Sequence, residues 1–88
     1  MYIFVVGEAA TLVTTNMNNS NIIRYTIACI HEFAKRHLLT YREAFNYLDR
    51  FKGVAFITEH YEAEHLLSLD EAVDDLTQVC HNNGGGIQ

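Results

Sequence analysis

Eighty-eight residues, 49% of them apolar and none proline, suffice for one small domain with its own core. The formal net charge is −5, with all six bases between Arg24 and Lys52 and seven acids but no base from Glu59 to Asp75; such a surface repels phosphate backbones and disfavours nucleic acid as a direct partner. No apolar run approaches the roughly 18 residues that cross a bilayer, and the apolar Tyr2–Val6 stretch has no basic residue before it, so neither membrane nor secretion is expected and a cytoplasmic location follows by default.

Residues 1–16 differ in character from the rest. Tyr2-Ile3-Phe4-Val5-Val6 and Thr11-Leu12-Val13-Thr14 are β-branched and aromatic, separated by Gly7-Glu8-Ala9-Ala10, and read as a strand or short hairpin. Met17-Asn18-Asn19-Ser20 also reads as a protein start, which would make 1–16 an extension outside the native domain. The helical domain is then expected over 17–81, with 82–88 a flexible tail.

Helical periodicity begins near Ser20. Ile23, Ile27, Ile30 and Ala34 form an apolar stripe widened by Ile22, Thr26 and Phe33, predicting a helix over about 21–37. Ser20 or Asn21 is placed to cap it, and Lys35, Arg36 and His37 fall in its last turn, where positive charge suits the helix dipole.

One stretch then occurs twice. His37-Leu38-Leu39-Thr40-Tyr41-Arg42-Glu43-Ala44 returns as His65-Leu66-Leu67-Ser68-Leu69-Asp70-Glu71-Ala72, each followed four residues on by a leucine, Leu48 or Leu76. Thr40 with Glu43, and Ser68 with Glu71, are capping boxes: hydroxyl and carboxylate each satisfy a backbone N–H that the first turn leaves open. Duplication of a helix–turn–helix unit and convergence of two well-capped amphipathic helices both account for the repeat. After the first box Tyr41, Phe45, Leu48 and Phe51 continue an apolar stripe, and Gly53 is placed to end the helix in a left-handed cap. A third helix is predicted over about 54–65, burying Val54, Ile57 and Tyr61 and turning Glu59, Glu62 and Glu64 to solvent. In the fourth, Leu69, Val73, Leu76 and Cys80 lie opposite Asp70, Glu71, Asp74 and Asp75. The predicted fold is therefore all-α, a four-helix unit of two antiparallel helical hairpins behind a short N-terminal extension.

Candidate chemistry is sparse. His31-Glu32 begins like a zinc-protease helix, but position 35 is Lys. Glu62-Ala63-Glu64-His65 holds one Glu-x-x-His pair of the kind used in carboxylate di-iron bundles, yet Ala34 stands where the repeat would need the second glutamate. Cys29 and Cys80 both fall on apolar helix faces, where burial raises a thiol pKa; reduced core thiols are expected. Gly84-Gly85-Gly86 has no helix after it to complete a phosphate loop. A helix–turn–helix DNA reader fails on charge, since the helix that would read bases offers Glu59, Glu62 and Glu64 and no Arg or Lys. No catalytic, cofactor or metal residue is assigned.

The segment from Asn21 to about Gly85 resembles a family of short bacterial and phage proteins known as domain-of-unknown-function family 3791. The likeness rests on the Ile-rich first helix ending near Phe33, the Thr40–Glu43 box with Phe45, Leu48 and Phe51, the Tyr61-Glu62-x-x-His65 stretch, and the closing helix with Val73 and Leu76. The resemblance implies a small helical protein with no assigned catalytic residue. Genes of that family often neighbour others, including ones resembling ADP-ribosyltransferase domains, which implies an accessory or antitoxin-like binding protein.

The expected function is a non-enzymatic interaction module that binds a basic protein partner through Glu59, Glu62, Asp70, Asp74 and Asp75, with Tyr47 and Tyr25 as exposed aromatic anchors. A self-associating homodimer is the competing reading, and a metal-binding helical protein a third.

Overall fold

The computed structural model describes residues 17–87, with side chains from Ser20 onward; the expected strand or hairpin within 1–16 lies outside the described residues. Five helices and no strands are found among those residues: α1 (Met17–His37), α2 (Tyr41–Arg50), α3 (Gly53–Glu59), α4 (Tyr61–Glu64) and α5 (Leu69–Asn82).

Both capping boxes form. The Glu43 N–H donates to Thr40 Oγ1 at 3.1 Å and the Thr40 N–H to Glu43 Oε1 at 2.9 Å; the Ser68–Glu71 pair repeats this at 3.1 Å in both directions. The two copies also bury equivalent residues, Ala44 with Ala72 and Leu48 with Leu76. A cap of this kind contributes about 1 kcal/mol, and here it fixes where α2 and α5 begin.

The core is assembled from one face of each long helix. Cys29, Ile30, Phe33 and Ala34 of α1 meet Leu48 of α2, Ile57 of α3, and Val73, Leu76 and Cys80 of α5. Burying a side chain of the size of Phe33, Leu48 or Ile57 stabilises by roughly 1.5–3 kcal/mol. The face differs from the expected one in two places. In α1 it turns toward Cys29 and Phe33 and leaves Ile23 and Ile27 exposed; in α2 Ala44 and Leu48 are buried while Tyr41 and Phe45 sit at the exposed flank. Both stripes were wide enough to seat either edge inward, and only the neighbouring helices select one.

The expected third helix is split at His60. Thr58 Oγ1 bonds back to the carbonyls of Val54 and Ala55 at 3.1 and 3.0 Å, a competition with the helix ladder that favours bending. The last turn of α3 also lacks a base to offset its dipole. The carbonyl of His60 then accepts from Ala63 and Glu64 and starts the single turn of α4.

Gly53 serves differently from its predicted role. Lys52 takes the left-handed conformation (φ 73°), while Gly53 is the first residue of α3. Its lack of a Cβ matters for approach, since a Cβ there would meet Leu48 Cδ2 at 2.8 Å and Cys80 Sγ at 3.1 Å. Lys52→Gly is expected to stabilise the domain by about 0.5–1 kcal/mol, because the left-handed strain on an L residue is removed at a smaller entropic cost. The urea midpoint should rise with an unchanged m value; a midpoint at or below wild type would contradict it. Leu38 shares this backbone (φ 57°) and is 92% exposed.

The segment after α5 is packed rather than frayed. The Gly85 N–H donates to the Cys80 carbonyl (2.8 Å) and the Gly84 N–H to that of His81 (3.1 Å), with Gly84 at φ 104°. This is a Schellman stop, which needs a left-handed residue at Gly84. Beyond it the Ile87 N–H donates to the Tyr47 hydroxyl at 3.0 Å, and Ile87 packs on the core.

Candidate functional site

Three polar regions stand out on this scaffold. The first lies where α4 meets α1 and α5. Glu64 is only 7% exposed and its Oε1 has no hydrogen-bond partner. Its carboxyl lies within hydrogen-bonding reach of Asp75, and no basic side chain among the described residues forms an ion pair with it. Burial first, and Asp75 second, push Glu64 up to about 7. The Tyr25 hydroxyl donates to the Glu64 carbonyl at 2.8 Å, and Tyr25 and the Cys29 thiol one turn on influence each other's ionisation. Burial raises Tyr25, and it pushes Cys29 up to about 11 despite the tyrosine hydroxyl that favours the thiolate. Around them Tyr25 meets Tyr61 edge-on (5.6 Å between centroids), and Tyr61 stacks on His65 at 4.4 Å.

The second region is an open cleft of about 390 Å³ between α1 and α5, lined by Arg36, His37, Asp74, Thr77, Gln78 and His81. Arg36 is already engaged: Nη1 bonds the Asp74 carboxylate, Nη2 donates to the Asp70 carbonyl at 3.0 Å, and the Asp70 carboxylate lies at 3.7 Å. Arg36 therefore ties the last turn of α1 to the first turns of α5. His37, in the same last turn, is less readily protonated than a free imidazole. Burial, and secondarily Arg36, lower its pKa, and its ring packs 4.5 Å from that of Phe33.

The third is an open cleft of about 480 Å³ at the α3–α4 junction, bounded by Ile22, Thr58, Glu59, His60, Tyr61 and nearby Glu62 and Ala63. Neither Glu59 nor Glu62 is ion-paired among the described residues.

The expected partner-binding residues thus fall into separate places. Glu59 and Glu62 share the α3–α4 cleft; Asp70 and Asp74 are held by Arg36; Asp75 is half-buried against Glu64. Tyr47 is half-buried instead of exposed, stacked near Phe33 (5.8 Å) and Phe51 (4.9 Å), with its hydroxyl taken by Ile87. Tyr25 is likewise half-buried. Glu64, read from sequence as a solvent-facing acid, is the residue that reading missed. The signal was present: Val54, Ile57, Tyr61 and Glu64 continue one 3-4-3 spacing.

Cys29 and Cys80 are buried free thiols, and burial also pushes Cys80 up to about 11. Among the described residues no group of three His, Cys, Asp or Glu side chains is placed to hold a metal ion. No helix among them is long and apolar enough to cross a membrane.

These features define a small all-helical domain built on two boxed helices, with the shifted groups Tyr25, Cys29 and Glu64 close together where α4 docks. The chain belongs to the DUF3791 family: the family described as "Protein of unknown function (DUF3791)" matches residues 24–83, from within α1 to just past the end of α5. No curated protein and no solved structure matches the chain.

Proposed function

We propose that the chain is a non-enzymatic protein-interaction module, an accessory or antitoxin-like protein acting in the cytoplasm, and that it meets a basic segment of its partner at the α3–α4 junction. The observation that carries this reading is the pairing of two unneutralised carboxylates, Glu59 and Glu62, with the apolar surface of Ile22 and Ala63 around one open cleft. Charge at the rim of such a surface steers a basic partner, and the apolar floor holds it. Asp70, Asp74 and Asp75 belong to the same acidic stretch but are engaged within the domain, so Glu59 and Glu62 do most of the steering. Tyr47 contributes by bracing the core and the 84–87 segment.

The test begins with the partner recovered on this chain from its native host and identified. Against that purified partner, Glu59→Lys with Glu62→Lys should slow association about tenfold at low salt, and the difference should vanish near 0.5 M salt. Equal on-rates at low salt would remove the cleft from the interface.

Self-association is the second reading. It is favoured by Ile23 and Ile27, exposed one turn apart on the same face of α1, and by Leu66, which is 78% exposed. Light scattering separates the two: a monomer at high micromolar concentration disposes of the homodimer.

A further inference from the structure

A helix of four residues has no stability of its own, because one turn fixes several residues for one or two hydrogen bonds. Side chains from α1 and α5 must therefore hold α4 (Tyr61–Glu64) in place. Two such attachments converge on one residue. The Glu64 carbonyl accepts the Tyr25 hydroxyl, and the Glu64 carboxyl is buried against Asp75. The groups acting on that carboxyl from α1 and α5 are acids or weak acids, and its own segment adds the imidazole of His65, a base. From α1 come Tyr25 and Cys29, with Glu32 also acting on Cys29; from α5 comes Asp75; on its own segment are Tyr61 and His65, stacked on each other. Two carboxyl groups in contact share a hydrogen bond only while one of them keeps its proton, and without it two like charges stand together with Glu64 buried and Asp75 half-buried.

We infer that α4 is a proton-dependent latch, in which protonated Glu64 donates to Asp75 and pins the turn 61–67 to α1 and α5, and loss of that proton to solvent releases it. Because the carboxyl is pushed up to about 7, release falls in the neutral range. Tyr61, Glu62 and Ala63 are carried by the same turn and form one wall of the α3–α4 cleft. Opening the latch therefore dismantles that wall, so rising pH weakens whatever the cleft holds. That consequence for binding rests on the proposed reading of the cleft; the latch itself does not.

The test uses the full chain without any partner, so its failure is separate from failure of the docking reading. Carbon-13 NMR of the side-chain carboxyls should show Glu64 titrating near 7. Amide hydrogen exchange, corrected for base catalysis, should show protection of residues 64–67 falling about tenfold or more between pH 6 and 8.5 relative to α2. Glu64→Gln, which keeps a donor toward Asp75 at every pH, should hold that protection flat. Asp75→Asn, which lets the side chain at position 75 donate to an ionised Glu64, should weaken the loss of protection and lower the Glu64 midpoint by the part Asp75 contributes, leaving the part due to burial. A Glu64 midpoint in the ordinary range of about 4–5 in the wild type, or loss of protection in Asp75→Asn equal to wild type, would overturn the latch.

Discussion

Glu64→Gln is expected to make the domain about 3 kcal/mol more stable than wild type at pH 8 and to change it little at pH 4. In the unfolded chain this carboxyl ionises around 4.5; in the fold it keeps its proton to about 7. Below both values each state is protonated and no difference arises. Between them unfolding releases a proton, so wild-type stability falls as pH rises, by about 1.4 kcal/mol per unit. Above about 7 the full penalty is in place. Glutamine has the same shape, no charge to desolvate and an N–H to offer Asp75, so it escapes the penalty throughout. Against a typical total of 5–15 kcal/mol for a small domain, the gain is large. His37 works in the opposite sense. Its lowered pKa means stability is complete above its unfolded value near 6.5 and is lost as pH falls through the folded value. The wild-type profile therefore mixes both groups, and the diagnostic quantity is the difference between variant and wild type in urea unfolding across pH 4–9. A difference independent of pH would show that the buried carboxyl carries no proton linkage.

Gly85→Ala is expected to cost about 2–3 kcal/mol, far more than Gly86→Ala beside it. A Cβ on Gly85 would fall 2.2 Å from the Tyr47 hydroxyl oxygen, 2.8 Å from Tyr47 Cζ and 3.0 Å from the Cys80 carbonyl, whereas one on Gly86 would meet nothing within 4 Å. Tyr47 has little freedom to move aside, because its ring lies between Phe33 and Phe51 and its hydroxyl holds the Ile87 N–H. Either the 84–87 segment lifts off, exposing Ile87, or Tyr47 is forced out of its place in the core. Gly84→Ala should fall between the two, at about 1 kcal/mol, since it strains only the left-handed backbone. The three alanine variants compared by chemical unfolding test the ordering; a Gly85→Ala protein as stable as Gly86→Ala would refute the close approach of Tyr47.

Local chemistry alone was enough to locate the two boxed helices. A capping box needs only a hydroxyl and a glutamate three residues apart, so Thr40–Glu43 and Ser68–Glu71 announce α2 and α5, and the Leu69-Val73-Leu76-Cys80 spacing declares the inner face of α5. The buried thiols and the all-helical class followed in the same way, as did the resemblance to the family. Long-range approach decided the rest. Whether Ile27 or Cys29 faces inward depends on which helix arrives beside α1. Whether a glycine serves a turn or a contact depends on Leu48 and Cys80 at Gly53, and on Tyr47 at Gly85. Glu64 shows the difference most clearly. Its spacing put it on the buried side of α4, while its charge argued for solvent. Only Tyr25 reaching over from α1 and Asp75 closing from α5 resolve that conflict, by burying the acid where it keeps its proton. Periodicity specifies the order of these helices and a broad apolar stripe on each because it acts within a few residues, while the neighbouring helices choose which edge of that stripe is buried. The site arises between elements distant in sequence, Tyr25 lying 39 positions before Glu64, and the energy of a buried charge is set by what packs around it.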